Sequence, residues 1–424
     1  MTPPDTAQPT TPRIDVARLA ERLAALAEIG DTGDGGCARL ALTDEDRDGR
    51  DLVVTWMRDL GLDVVIDVVG NIVAVWSGGP HGDPTLPPVM CGSHIDTVRT
   101  GGRYDGNYGV LAGLEVVETL ITSGVSTRRP IAVAVFTDEE GARFAPDMFG
   151  SLVYVGGLSV EDALDVVGVD GARVGDELGR IGYAGSAPCP GPAPHAFVEL
   201  HIEQGPVLEA EGVTIGAVTG VQGISWQELT ISGQSNHAGT TPIALRHDPA
   251  YVAARVTAFV RELCDELGPP QVGTVGRVEL HPNLINVVAA RATLTIDLRN
   301  TDDAILAEAE RRLAEFCVRA ADEEGVMITA RSLARFEPVA FDGAMIDLVE
   351  STATALGHST RRMPSGAGHD AQMLARVCPT GMIFTPSAGG VSHNPAEHTD
   401  LVDLAAGAEV LLGVVLDLAG EPQR

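Results

Sequence analysis

Lysine is absent from this chain: the 29 basic residues among its 424 are all arginine. Without that amine there can be no Schiff-base lysine, no pyridoxal phosphate anchor, no phosphate-loop lysine and no carbamylated lysine bridging two metals. Positive charge is scarce altogether. Against 59 Asp and Glu the formal net charge is −30, which repels nucleic-acid phosphates and anionic lipid, so neither is an expected partner. Paired cysteines are missing too. The six present (Cys37, Cys91, Cys189, Cys264, Cys317 and Cys378) are scattered without a C-x-x-C pair and read as reduced, packed thiols. No apolar run approaches the length of a membrane span, and the start shows no basic stretch leading into an apolar one. A cytoplasmic protein with a small-molecule role is expected.

What is present reads as a folded chain. Residues 1–12, rich in Pro and Thr, form an expected disordered start, and a length of 424 corresponds to two or three domains. Asp15 can cap a helix that places Val16, Leu19, Leu23 and Leu26 on one face and ends at Gly30. Thr43, with Asp46 three residues on, opens a second helix that stops at Gly61. DVVIDVVG and NIVAVW read as short strands about a turn at Gly70 and Asn71. PVMCGSH, PIAVAVFTDEEG and AFVELHIEQG each run from apolar into polar residues, with a helix over 108–122 between the first two. Buried strands alternating with helices predict an α/β domain, its largely parallel sheet covered by helices on both faces. Ligands in such sheets sit beyond the carboxyl ends of the strands, where all three polar clusters fall.

Past a loop at Thr219 to Gly223 the pattern changes. ISWQELTISG alternates, a helix follows over 248–266, VGTVGRVEL and ATLTIDLRN are strands, a helix covers 302–322, and VMITARSL is a last strand. This β-α-β-β-α-β order predicts a ferredoxin-like α+β insert over 223–335. It would lie inside a first domain made of 13–222 and 336–424, which resumes with a helix over 343–356, a strand at GMIFTPS and a closing helix after Thr399.

Metal ligation needs neutral imidazole and ionised carboxylate, and His94, Asp96, Asp105, Glu139, Glu140, His201, Glu203 and His393 offer both, several of them at strand ends. Asp96 could orient His94 as a carboxylate supports a metal-binding histidine. The adjacent acids of FTDEEG can divide two tasks, one binding metal while the other moves protons.

GSHIDTVRTGGRYDGNYGVLAG, FTDEEGARF, HIEQGPVLE, SNHAGTTP, PNLINVV, DLRN, SGAGHDAQ and GGVSHNPAEHT follow one another from about residue 90 to residue 400. In content and order they resemble the hydantoinase/carbamoylase family of dinuclear metal amidohydrolases, within the wider group related to aminoacylase and carboxypeptidase G. The resemblance implies two divalent ions per subunit, zinc foremost, with manganese, nickel or cobalt as further choices. It implies that His94, Asp105 and His201 bind one ion and Asp105, Glu140 and His393 the other. Glu139 becomes the general base and acid, and Asp96, behind His94, is counted among the catalytic residues. The insert becomes a lid and dimerisation domain: Arg299 takes the substrate carboxylate, Asn286, Gln204 and Gly390 add contacts, and His237 reaches across a homodimer to the developing oxyanion. Glu203 is expected to support His201, and His369 and Asp370 to stand behind the ligands. The implied activity is cleavage of the carbamoyl C–N bond of N-carbamoyl-L-amino acids or related ureido acids, releasing amine, carbon dioxide and ammonia. His201 stands where related peptidases carry a carboxylate, which favours this branch. An allantoate amidohydrolase, an aminoacylase or dipeptidase, and an inactive binding homologue are the alternatives.

Overall fold

A computed structural model describes residues 12–421 of the chain, so the expected disordered start lies, except for Pro12, outside the described residues. Two compact units emerge. One runs to Thr219 and resumes at Phe341; the other spans Gly220–Ala340.

The first unit begins with α1 (Val16–Ala27), whose cap Asp15 accepts the Arg18 N–H, and α2 (Asp44–Asp59), capped by Thr43 through the Asp46 N–H. A hairpin of β1 (Asp63–Ile66) and β2 (Ile72–Trp76) follows. Then come β3 (Val89–His94), α3 (Asn107–Thr122) and β4 (Ile131–Phe136). Three short helices, α4 (Phe149–Tyr154), α5 (Val160–Asp165) and α6 (Val174–Ile181), lead to β5 (Ala196–Ile202), α7 (Val207–Glu211) and β6 (Ile215–Val221).

The insert holds β7 (Gly223–Ser232), β8 (Asn236–His237), α8 (Pro249–Leu267), β9 (Val272–His281), β10 (Val287–Val288), β11 (Arg291–Asn300), α9 (Asp303–Glu324), β12 (Met327–Phe336) and β13 (Val339–Ala340). Its main sheet has the order β12-β7-β11-β9, antiparallel throughout. Alternation explains its core: Ala292, Leu294, Ile296 and Leu298 of β11 point one way and bury against Val256 of α8 and Leu313 of α9. The unit starts at Gly220 and ends at Ala340, beyond the 223–335 read from sequence, because β12 continues to Phe336 and β13 pairs back onto Gly220 and Val221.

The chain returns with α10 (Gly343–Ala355), β14 (Thr360–Ser365), α11 (Asp370–Leu374), β15 (Thr380–Thr385) and α12 (Leu401–Ala419). The strand order is β1-β2-β4-β3-β5-β15-β6, with β14 also on β6. The central four, β4, β3, β5 and β15, run parallel, and every residue in them is buried, so helices cover both faces. Antiparallel pairings of β2 with β4 and of β6 with β15 flank them. The supposed loop at Thr219–Gly223 is the end of β6 and start of β7; Gly216 and Gly220 masked a strand that β15 supports. Among the described residues, no helix is long and apolar enough to cross a membrane.

A fully buried arginine braces the carboxyl edge of this sheet. Arg39 donates from Nε to Ile95 O (2.7 Å), from Nη1 to Leu26 O (2.9 Å) and Ile29 O (2.7 Å), and from Nη2 to Asn107 Oδ1 (2.7 Å). It ties the end of α1 to the residue after His94 and to the start of α3. Arg39→Met keeps much of the volume but strands four acceptors, so a loss of at least about 3 kcal/mol in unfolding free energy is expected. Urea denaturation measures it, and an unshifted midpoint would remove Arg39 from this role.

Candidate metal centre

Because β4, β3, β5 and β15 are parallel, their carboxyl ends share one edge. His94 is the last residue of β3, Glu139 and Glu140 follow β4, His201 is the penultimate residue of β5, and His393 lies in the loop after β15. Asp105 joins them from the loop before α3.

The Asp105 carboxylate lies between three imidazoles. Its Oδ1 is 3.1 Å from His201 Nε2 and 3.6 Å from His94 Nε2, and its Oδ2 is 3.4 Å from His393 Nε2. His393 Nε2 is also 3.3 Å from Glu140 Oε2, while His94 Nε2 is 3.5 Å from Glu139 Oε2. Among the described residues three groups could hold a cation, their ligand atoms within 4.8 Å of one another: Glu199–His201–His369 and the two around Asp105, His94–Asp105–His201 and Asp105–Glu140–His393. Asp105 is common to the last two.

The donor chemistry of the inner group suits a metal. Nδ1 of His94 is 2.9 Å from Asp96 O, and Nδ1 of His201 is 2.8 Å from Ile202 O. A carbonyl can only accept, so each Nδ1 carries hydrogen, and when the ring is neutral, the form that binds a metal, the Nε2 on the Asp105 side is a lone pair. His201 Nε2 already accepts the Gly106 N–H at 3.1 Å.

The electrostatics describe acids waiting for cations. Burial opposes charge on Asp105, but the surrounding imidazoles of His201, His393 and His94 hold it well below the usual carboxylate range. Burial pushes Glu139 well above that range, and the charges of Asp370, Glu140 and Asp105 add to the shift. Burial and the Asp105 charge raise Glu140 to about 8. The hydrogen bond to Asp105 raises His393 to about 9, and His94 is held well above its ordinary value by Glu139 and Asp105 despite its burial. Backbone strain gathers here too: Asp138, Gln204 and His393 have φ of 56°, 58° and 53° without being glycine.

Several residues sit differently from their sequence reading. Asp96 orients Glu139 and Glu140, accepting their backbone N–H groups at 3.2 and 3.3 Å. Its carboxylate is 3.8 Å from His94 Nδ1, which bonds to the Asp96 backbone carbonyl, since the chain turns back just after β3. Glu203 does not support His201; its carboxylate caps α7 through the Val207 and Leu208 N–H groups, both at 2.8 Å. Gln204 donates from Nε2 to Asp105 Oδ2 at 2.8 Å. Gly390 lies against Pro206, and a Cβ there would stand 2.7 Å from Pro206 N. His369 stacks edge-on against His201, ring centres 4.6 Å apart, with its Nε2 2.8 Å from Ser365 Oγ. Asp370 starts α11, fully buried.

In the insert, taken by itself, Arg299 Nη2 donates to Asp297 Oδ2 at 2.8 Å along β11. His237 is exposed and accepts the Gly239 N–H at 3.1 Å; Asn286 accepts the Ala238 N–H through its backbone carbonyl. Sequence reasoning passed over Glu397, buried beneath Asp105, although the acid stands inside the quoted GGVSHNPAEHT.

The model of peptidase family M20/M25/M40 matches residues 90–417. The N-carbamoyl-L-amino-acid amidohydrolase of Rhizobium meliloti is 40% identical over 407 residues, 96% of this chain and 97% of that protein. The allantoate amidohydrolase of Escherichia coli K12 is 36% identical over 403 residues, 95% and 97% of the two chains. A crystal structure of an amidase of the hydantoinase/carbamoylase family from Burkholderia multivorans superimposes with a TM-score of 0.95 at 44% identity, covering 98% of this chain and 100% of that one. With strand ends, ligand groups and full-length matches in agreement, the chain belongs to peptidase family M20/M25/M40 and, within it, to the hydantoinase/carbamoylase amidases.

Proposed function

We propose that this amidohydrolase cleaves the carbamoyl C–N bond of N-carbamoyl-L-amino acids. The observation that carries the reading is one carboxylate, Asp105, shared by two ligand groups in a chain 40% identical along 96% of its length to an enzyme of that name. His94, Asp105 and His201 would hold one divalent ion, and Asp105, Glu140 and His393 a second. Zinc suits the imidazole and carboxylate donors, and manganese, nickel or cobalt suits the oxygen-rich group. When bound, such a pair acidifies water and polarises a carbonyl.

The chain's own residues do the rest. Glu139 takes a proton from the attacking water as the oxygen adds to the carbamoyl carbon. It then delivers the proton to the amino-acid nitrogen, the C–N bond breaks, and the carbamic acid left behind decomposes to carbon dioxide and ammonia. Burial favours this exchange, because it raises the affinity of Glu139 for the proton it carries between the two transfers. Asp96 fixes the backbone from which Glu139 and Glu140 project.

Substrate recognition follows the family likeness of DLRN, PNLINVV, HIEQG, GGVSHNP and SNHAG. Arg299 receives the substrate carboxylate bidentately in exchange for Asp297, Asn286, Gln204 and Gly390 add contacts, and His237 serves the oxyanion across a homodimer. Ile243, Leu245, Leu284 and Ile285, exposed near His237 and Asn286 in the sequence, support an assembly that covers them. The six free thiols support a cytoplasmic setting.

A second reading is allantoate hydrolysis, favoured by the 36% identity to the E. coli enzyme of that activity. Ammonia release from a panel of N-carbamoyl-L-amino acids, N-carbamoyl-β-alanine and allantoate decides between them. A preference for allantoate replaces the first reading, and activity on N-acyl amino acids alone sinks both.

Glu139→Gln should retain wild-type metal content and lose turnover by roughly 10²- to 10⁴-fold; a variant still hydrolysing at the parental rate would show that another group moves the proton. Cation uptake should also release protons. In the metal-free chain Glu140 is raised to about 8 and His393 to about 9, so both carry protons at pH 7 and must lose them to ligate. Affinity for the metal therefore rises with pH until those values are passed. Calorimetry at pH 7 in buffers of different ionisation enthalpy reads the protons released, and a heat that does not depend on buffer contradicts this assignment.

A further inference from the structure

Glu397 is not one of the ligands, yet it touches two of the three loops that supply the outer ligand group, those of Asp105 and His393. Its Oε1 accepts the backbone N–H groups of Tyr104 (2.9 Å) and Asp105 (3.1 Å). Ser392 Oγ stands 3.0 Å from Oε2 and 3.1 Å from Asp105 Oδ2, so its single hydroxyl proton joins one carboxylate at a time. Ser392 precedes His393, the ligand held at a φ of 53°. Glu397 itself is only 5% exposed. Room for it comes from Gly102: a Cβ there would lie 2.1 Å from Glu397 Oε1.

The inner group shares Asp105, but its two histidines have anchors of their own. His94 and His201 are anchored by the carbonyls of Asp96 and Ile202, and both are 1% exposed. The His393 side chain is 49% exposed, with its Nε2 between two carboxylates. Support for the outer group must come from its loops.

The geometry points to Glu397 as a positioning residue that sets the Asp105–Glu140–His393 group, holding the Asp105 backbone and the His393 loop in register through two amides and one hydroxyl. The inference rests on the metal reading. It predicts an unequal effect: losing Glu397 weakens one cation equivalent and largely spares the other.

The test is cobalt(II) titration of the metal-stripped full-length chain, followed by calorimetry and visible absorption. Wild type should take up two equivalents. Glu397→Ala should bind the weaker equivalent at least about tenfold less tightly, the scale on which outer partners of metal ligands act, with the tighter one changed by less than about threefold. Glu397→Gln should restore both, because its amide oxygen still accepts the two N–H groups and its NH₂ can donate to Ser392, freeing the hydroxyl for Asp105. Gly102→Ala, which displaces the carboxylate without removing it, should reproduce the asymmetry and keeps the test open should Glu397→Ala not fold. Two wild-type affinities in Glu397→Ala or in Gly102→Ala, equal weakening of both equivalents, or a Gln variant as poor as Ala would each overturn the role. Wild type that takes up no cobalt would overturn the metal reading itself, a separate result.

Discussion

Asp105 concentrates the physical problem this fold solves. Its side chain, 6% exposed, lies among three imidazoles and beside Glu139 and Glu140, in a hollow where unpaired charge is expensive. Without cations the hollow is neutral only by holding protons, which is why burial lifts Glu139 and Glu140 and why His94 and His393 are drawn upward. The arrangement is locally costly, and the left-handed backbones of Asp138, Gln204 and His393 add about 1–3 kcal/mol each. Such a site persists only where the surroundings over-determine it.

The surroundings are the four parallel strands and the groups that close their carboxyl edge. Every residue of β3, β4, β5 and β15 is buried, so their ends are rigid platforms. The first turn beyond each platform is fixed by a specific acceptor or donor: Asp96 for the Glu139 turn, the Asp96 and Ile202 carbonyls for the two histidines, Arg39 for the turn after His94. Arg39 shows why the lack of lysine costs the architecture nothing. A guanidinium presents its donors in a fixed fork and reaches four acceptors on three segments, whereas an ammonium is a single point at the end of a flexible stem.

Legibility follows from this construction. His94, Glu139 and Glu140 were readable because an apolar run ending in polar residues identifies a buried strand and its carboxyl end together. Asp96 was readable as an important acid but not for its partners. Two residues beyond a strand, its direction depends on a loop that turns back, and alternation no longer tells where a side chain points. Glu203 illustrates the same limit: beside a ligand in sequence, it bonds instead to the amides of a five-residue helix that no periodicity announces. β6 was lost to its glycines, since a strand held by neighbours on both sides can carry residues of poor intrinsic preference. Glu397 lay in plain view in a motif, but the two amides it accepts are 293 and 292 residues away in the chain. Contacts of that range are not encoded in local pattern.

The net charge of −30 acquires a different meaning once the site has a shape. A ureido acid is an anion, and the total field of this chain opposes its approach. At physiological salt, however, surface charges are screened over about 8 Å, so acids on the outer face of the insert or of α2 contribute little inside the hollow. What an anion meets at close range is set by groups a few ångströms away, where interactions in a water-poor setting are several times stronger than in bulk. Four positive charges on two divalent ions would outweigh Asp105, Glu139 and Glu140, the three carboxylates of the ligand groups and the base, while Asp96 and Glu397 are turned to backbone amides behind them. With such ions bound, a chain of net charge −30 would still present a positive point to an anion, and exclusive use of arginine would leave recognition of a carboxylate to a side chain suited to gripping it with two parallel hydrogen bonds.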